Sequence, residues 1–234
     1  MTPREKQREK QQRQSRKVRA CKRLHKALPA IQDRIDRQLE YSSITCRKAC
    51  AAAVSVMLQA MIRVGNEDSV QEHETFGITT LHTQHVTVSS NTIHFSFIGK
   101  AGVPWKRSIT DPELAQVFSE LLTNPLENRV FWYIENGERH LLTDADVRDW
   151  LSSFKVCPKD IRTYTANLLM YQELTDRQAQ GLSKSAAKKL VSEVFEVVAS
   201  HLGHLPSTCR ANYVFPELWQ EYIETGGQVT NLFA

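Results

Sequence analysis

Basic residues, histidines and two tyrosines lie in five short segments spread along the sequence. A planar guanidinium can grip two oxygens of a phosphate, and a lysine or histidine can donate a hydrogen bond or deliver a proton. A tyrosine hydroxyl can attack as a nucleophile. Any one such residue alone is more often a surface charge or a half-buried ring. The segments are IRVGNED at 62–68, FGITTLHTQHV at 76–86, FIGKAG at 97–102, KDIRTYTAN at 159–167 and GHLPSTCRANY at 203–213.

Taken together and in this order, the five segments resemble the type IB DNA topoisomerases of the poxvirus-like kind, both viral and bacterial. The resemblance covers roughly Leu28 to Glu221. It implies that a tyrosine attacks a backbone phosphate, leaving a 3′-phosphotyrosyl enzyme and a free 5′-hydroxyl strand that can swivel. Carried over to matching positions of this sequence, the catalytic residues are Arg63, Lys100, Arg162, His204 and Tyr213.

The two arginines and the histidine suit the demands of that reaction. Phosphoryl transfer adds negative charge to the non-bridging oxygens, so fixed donors aimed at them lower the barrier. Arg63 and Arg162 are the natural pair, because each planar fork can grip two oxygens where a lysine cannot. His204 can supply a further hydrogen bond. The alternatives are a structural salt bridge for either arginine and a satisfied histidine at a helix end.

A proton donor is the other part that the reaction needs. A sugar hydroxyl is a far weaker acid than a phenol, so the leaving oxygen needs a proton more urgently than the tyrosine needs a base. Lys100, at a glycine-flanked hairpin tip, could enter the minor groove and deliver that proton with help from Arg63, as the family's hairpin lysine does. Lysines at such turns are ordinarily just solubilising. Lys159 shares a helical face with Arg162 and is predicted to support it.

No cofactor is expected. A phosphotyrosyl ester conserves the energy of the broken bond, so resealing needs neither ATP nor a metal ion. The sequence has no P-loop, no Asp/Glu metal cluster and no zinc-type Cys/His spacing. The five cysteines are odd in number and lack a paired framework, which favours reduced thiols over disulfides.

Charge is concentrated at the N-terminus. Residues 1–26 hold eleven Lys or Arg against two Glu, whereas the rest of the chain is acidic, although the net charge is only +4. A basic arm on a near-neutral body is typical of polyanion binding, but a solvated helix or a disordered leader would look the same. We predict a basic arm over 1–20, a catalytic domain over 21–234, and double-stranded DNA as the partner of a monomer.

The start of the chain also bears on its location and completeness. No apolar run of 18 residues is present and the N-terminus is charged, so neither a membrane span nor a secretory signal is predicted. An intracellular location is expected, in a bacterial cytoplasm or nucleoid or in a viral setting. The resembling family usually carries an N-terminal β domain, and since nothing before residue 20 could form one, we expect it to be absent.

The elements that must position these residues follow from hydrophobic periodicity. Apolar spacing of three or four predicts helices, with a bend or restart of the first at Pro29 and Gly65 as the cap of the second. Alternation between Thr79 and Ile109 predicts a three-stranded antiparallel meander with Lys100 at its second turn. The fold class is therefore mainly α with a small sheet, as in the catalytic domain shared by type IB topoisomerases and tyrosine recombinases. The helices are predicted near 18–41, 45–62, 111–122, 144–154, 159–173 and 183–202, with a last one that carries Tyr213 and extends past Pro216 to Ile223.

Two rival functions remain open at this point. A tyrosine recombinase or integrase shares the fold and the chemistry, but its second arginine usually follows a histidine by three residues, where this chain has Lys159. A recombinase-type core-binding domain is also not recognisable. A DNA-binding module without catalysis would rely on the basic arm alone, yet a pure binder needs no phenol beside a phosphate clamp.

Overall fold

The computed structural model describes residues 2–99, 102–177 and 181–231. The chain divides into two compact units. The first unit comprises Met1–Lys26 and Lys159–Ala234, and the second unit is Ala27–Pro158. The predicted fold class, mainly α with a three-stranded antiparallel sheet, is confirmed. No helix among the described residues is long and apolar enough to cross a membrane.

The N-terminal helix α1 (Pro3–Leu39) is longer than predicted and supplies residues to both units. It includes Pro29 without a break, so of the bend or restart predicted there, the restart is wrong. Its apolar side chains, such as Leu24 and Ile31, are fully buried. The expected apolar stripe therefore does form one face of a helix, and the basic residues before it continue the same helix.

The second unit packs helices around a meander. Its central helix α2 (Cys46–Ala60) is buried nearly all round, because small alanines let neighbouring elements approach closely. Thr45 caps its start by accepting a bond from the Lys48 amide, and Met61 ends it in the left-handed region at φ 55°. The expectation that Gly65 caps this helix is therefore wrong. The remaining elements are α3 (Glu67–His73), β1 (Val86–Ser89), β2 (Thr92–Gly99), β3 (Val103–Thr110), α4 (Pro112–Thr123), β4 (Trp132–Glu135), β5 (Glu138–Leu141) and α5 (Asp144–Ser152).

The meander has the predicted topology. Its strands are antiparallel in the order β1-β2-β3. Ile93, Phe95 and Phe97 of β2 are buried while the residues between them are not, which is the period of two that the sequence indicated. A second, two-stranded sheet of β4 and β5 and the short helix α3 were not predicted.

Among its described residues, the first unit adds four helices to the N-terminal part of α1. Proline stands in the first turn of the last two, where its missing N–H leaves no helical bond unmade. The predicted single helix through Tyr213 is therefore wrong, since one helix ends at Asn212 and another begins at Pro216. The four are α6 (Pro158–Asp176), α7 (Lys184–Leu202), α8 (Pro206–Asn212) and α9 (Pro216–Glu224).

Candidate active site

Tyr213 lies directly after α8, and its backbone is fixed by a buried amide. Its own N–H donates to the Cys209 carbonyl at 3.0 Å, which closes the last turn. Asn167 of α6 is fully buried, and its Nδ2 donates to the Tyr213 carbonyl at 2.8 Å. The Asn167 Oδ1 accepts from the Phe215 amide at 2.7 Å. Both polar ends of one side chain thus hold the residues around Tyr213, whose own side chain is half-buried.

Arg162 is buried beside the same tyrosine. It is only 4% exposed and stands on α6, about one turn before Asn167. Its Nη2 donates to the Leu202 carbonyl at 2.7 Å, at the C-terminal end of α7, where the helix dipole favours a cation. Its Cζ lies 5.8 Å from the centroid of the Tyr213 ring. The arginine is therefore a fixed positive charge next to the phenol ring.

His204 reaches Tyr213 from the turn after α7. Gly203 ends that helix in the left-handed conformation at φ 61°, which allows the His204 amide to donate back to the Ala199 carbonyl at 3.0 Å. The imidazole and phenol centroids are 5.1 Å apart, with the rings tilted by 31°. We call Arg162, Asn167, His204 and Tyr213 the Tyr213 cluster. Three of its members were predicted from the sequence, and Asn167 was not.

Lys159 lies in a basic groove of the first unit. It is exposed near the start of α6 and faces cations of α1 across that groove. Burial and the neighbouring Lys159 and Arg13 lower the pKa of Lys17, whereas the Cys21 thiol acts in the opposite sense. The basic groove has one acidic residue among its lining residues, which are Arg16, Lys17, Arg19, Ala20, Arg23, Lys159, Asp160 and Thr163.

Arg63 belongs to the second unit, in the loop between α2 and α3. Its carbonyl accepts from the Ile78 amide at 2.7 Å, which joins the IRVGNED segment to the FGITT segment. Two glycines make this contact possible. A Cβ built on Gly77 would lie 2.4 Å from the Gly65 nitrogen and 2.8 Å from the Arg63 carbonyl oxygen. The half-buried Arg63 therefore stands on a loop that two sequence motifs hold together.

A buried arginine that the sequence analysis missed braces the same loop. Arg129 is 6% exposed and donates to both carboxylate oxygens of Glu67, at 3.1 and 2.6 Å. It also donates to the Thr79 carbonyl at 2.7 Å. The bonds from Arg129 to the Glu67 carboxylate hold the pKa of Glu67 below its ordinary value. The one sequence signal was an arginine placed immediately before the apolar run VFWYI at 130–134.

Lys100, the predicted proton donor, lies outside the described residues. The strands that lead to it are described, since β2 ends at Gly99 and β3 begins at Val103. Across residues 2–99, 102–177 and 181–231, no group of three or more His, Cys, Asp or Glu side chains is placed to hold a metal ion.

Comparison with known proteins adds a family and several relatives. The family described as "Eukaryotic DNA topoisomerase I, catalytic core" matches residues 6–229. "DNA topoisomerase 1B" of Acanthamoeba polyphaga mimivirus is 29% identical over 178 residues, covering 69% of this chain and 52% of that protein. "DNA topoisomerase 1B" of vaccinia virus (strain Copenhagen) is 23% identical over 204 residues, covering 87% of this chain and 63% of that protein. The chain thus spans about half the length of the mimivirus protein and less than two thirds of the length of the vaccinia protein.

Proposed function

The chain belongs to the family of DNA topoisomerase I catalytic cores, and we propose that it acts as a type IB DNA topoisomerase. In this proposal it relaxes supercoiled double-stranded DNA by cutting and resealing one strand through a covalent bond to Tyr213. The observation that carries it is the Tyr213 cluster, in which the phenol ring lies 5.1 Å from the His204 ring and 5.8 Å from the Arg162 guanidinium carbon. The names of the viral relatives favour this function over a recombinase.

The proposed reaction exchanges one phosphate ester for another. The Tyr213 oxygen forms a bond to a backbone phosphorus, and the bond from that phosphorus to the 5′ oxygen breaks. The phenol loses its proton and the departing 5′ oxygen gains one, so charge and protons balance. The reverse step reseals the strand and restores the free tyrosine, so no external energy source is consumed.

The cluster supports this chemistry because its charge is fixed before the reaction. Negative charge grows on the non-bridging oxygens as the phosphorus is attacked. Arg162 is buried and anchored to the Leu202 carbonyl, so it needs no reorganisation to stabilise that charge. We propose that Arg162 and His204 both donate to the non-bridging oxygens. Lys159, near the start of the helix that carries Arg162, is proposed to support it through its charge.

Arg63 and Lys100 are also proposed as catalytic residues. Arg63 is proposed to donate to the phosphate, and the braced loop that carries it supports a role that needs a fixed backbone. Lys100 is proposed to protonate the leaving 5′ oxygen. The described ends of β2 and β3 are consistent with the hairpin on which the sequence placed it.

The basic groove is proposed as part of the DNA contact surface of the first unit. Arg16, Arg19 and Arg23 are exposed there. Together with Lys17 and Lys159 they give the basic groove five cations, against the single carboxylate of Asp160. Such a surface attracts a phosphate backbone and makes binding fall steeply with salt. Action as a monomer and an intracellular location stay predictions.

Plasmid relaxation in EDTA without ATP tests the proposal. Supercoiled DNA should pass through a ladder of topoisomers, and detergent added during the reaction should trap protein bound to one strand. DNA binding without relaxation or trapped protein would leave only a binding module. Strand exchange between two defined sites, in place of relaxation, would favour a recombinase instead.

A further inference from the structure

Helix α1 contacts the chain on both sides of Tyr213. The Lys17 Nζ donates to the Asn212 carbonyl at 2.7 Å, and Asn212 is the residue before Tyr213. The Gln14 Nε2 donates to the Glu217 Oε2 at 3.1 Å, in the first turn of α9. Since residues three apart share a helix face, one face of α1 holds α8 and α9 where the chain passes from one to the other.

Two successive carbonyls around the tyrosine are thereby anchored from two different helices. Lys17 of α1 holds the Asn212 carbonyl, and Asn167 of α6 holds the Tyr213 carbonyl at 2.8 Å. Fixing the peptide planes before and after a residue fixes its φ and ψ, which leaves only side-chain rotation to direct the phenol. The two anchors therefore set where the Tyr213 oxygen can reach.

A lysine suits the first of these anchors. Asn212 is the last residue of α8, where carbonyls carry partial negative charge, and a charged donor makes the stronger bond. Lys17 is also half-buried, and this burial, together with the neighbouring cations Lys159 and Arg13, lowers its pKa. An ordinary surface lysine avoids such a position, since it can turn into water. The bond to the Asn212 carbonyl offsets the cost of holding the Lys17 ammonium in this position.

We propose that Lys17 is a positioning residue that fixes the carbonyl before Tyr213 and so orients the tyrosine toward the DNA phosphate. This inference rests on the proposed role of Tyr213 as the nucleophile. It gives the N-terminal helix a function in the chemical step, in addition to any contact of its basic residues with DNA. Loss of Lys17 should then slow strand cleavage itself, even when all the DNA is bound.

Single-turnover cleavage of a duplex oligonucleotide by excess full-length protein separates an effect of Lys17 on the chemical step from an effect on DNA affinity. The rate of covalent adduct formation at saturating protein reports orientation, and a titration of the same duplex reports affinity. Lys17→Met should lower the saturating rate by roughly 10- to 100-fold, as expected for a misplaced reacting group. Lys17→Arg keeps a charged donor and should recover most of that rate. Lys189→Met, at an exposed lysine of α7, removes the same charge and should cleave at the wild-type rate.

Each outcome distinguishes a role of Lys17 in orienting Tyr213 from a simple effect of its charge on DNA binding. A Lys17→Met protein with the wild-type saturating rate, whatever its affinity, overturns the proposal. If that variant loses helical circular dichroism, Lys17→Gln takes its place, because it stays polar but is too short and uncharged to make the same bond to the Asn212 carbonyl. A several-fold slower saturating rate in Lys17→Gln then supports the proposal, and an unchanged rate overturns it. Absence of any adduct in the wild-type protein would instead contradict the proposed function.

Discussion

The Tyr213 cluster and the Arg63 loop hold their proposed catalytic residues in different ways. In the cluster, a buried amide of α6 bonds to the Tyr213 carbonyl, and a buried guanidinium of the same helix lies beside the phenol ring. In the loop, backbone fixes backbone, through the contact of Gly65 with Gly77. The Tyr213 hydroxyl can therefore be removed while Arg162 and Asn167 keep their bonds to main-chain carbonyls. A change in the loop's glycines, in contrast, acts through folding.

Substitution of Lys100 tests whether a residue of the second unit takes part in the chemical step. Lys100→Ala should slow cleavage of ordinary DNA by roughly 10²- to 10⁴-fold, the range expected for loss of an acid catalyst. A duplex with sulfur in place of the 5′ leaving oxygen should be largely spared, because a thiolate departs without a proton. The measurement is single-turnover cleavage of both duplexes. Equal slowing on both would assign Lys100 a positional or electrostatic role.

Gly77→Ala tests whether the Arg63 loop depends on close backbone contact. The added methyl would lie 2.4 Å from the Gly65 nitrogen, and only backbone movement can relieve that overlap. We expect the protein to lose about 3 kcal/mol or more of unfolding free energy, in the upper range for overpacking. Urea unfolding followed by circular dichroism measures it. The matched control is Gly99→Ala, where the nearest atom to a new Cβ is 3.5 Å away. Similar losses in both variants would refute the special status of Gly77.

His85 gives the second unit an acid-sensitive contact near the Arg63 loop. Its Nδ1 accepts from the His82 amide at 3.0 Å, so this nitrogen carries no proton. Burial, with the neighbouring His82, lowers the pKa of His85 from 6.5 to about 4. The fold thus favours the neutral ring, and its stability should be full above pH 6.5 and decline as the pH falls toward 4.

Unfolding curves at several pH values measure this decline, which we expect to amount to about 1–3 kcal/mol. His85→Asn should remove it, because an amide oxygen can accept the same bond without binding a proton. His94→Gln, at an exposed histidine of β2, should retain it. An unchanged decline in His85→Asn would mean that other groups cause the acid sensitivity.

Deletion of the start of α1 tests whether its cations act in DNA binding and not in the chemistry of the Tyr213 cluster. Deleting residues 2–13 removes five Lys or Arg and two Glu, while it keeps Gln14 and Lys17. If those cations bind phosphates, the slope of log affinity against log salt should flatten, by about 0.9 for each phosphate that the shortened protein no longer neutralises. The saturating cleavage rate should stay near that of the full chain. Filter binding between 50 and 200 mM salt measures the slope, and an unchanged slope would make this segment a passive leader.

Sequence patterns predicted the parts of the fold that depend on periodicity. The meander follows from alternating Ile93, Phe95 and Phe97, and its strands pair as expected. The helix end at Asn212 was missed because the proline at 216 was interpreted as lying within a helix, whereas it starts a new one. The β4–β5 hairpin was missed because its strands are only four residues long.

Around Tyr213, likewise, some residues were predicted from the sequence and others were found only in the structure. Arg162, His204 and Tyr213 were predicted from motifs, and the structure brings these three together. Asn167 and Lys17 were not identified, since each acts on a main-chain carbonyl far away in the sequence. Neither bond leaves a local pattern, because the partner is a backbone group that every residue has.

Covalent capture of DNA by Tyr213→Phe protein tests the central claim most directly. The variant lacks only the nucleophilic oxygen, so it should bind DNA within a few-fold of the wild type and form no adduct that survives detergent. In the wild type, the peptide attached to DNA should carry Tyr213. Tyr164 and Tyr222 are buried, and their hydroxyls bond to His25 and to the Arg177 carbonyl. An adduct that persists in the Phe variant, or that maps to Tyr164, Tyr171 or Tyr222, would contradict the account.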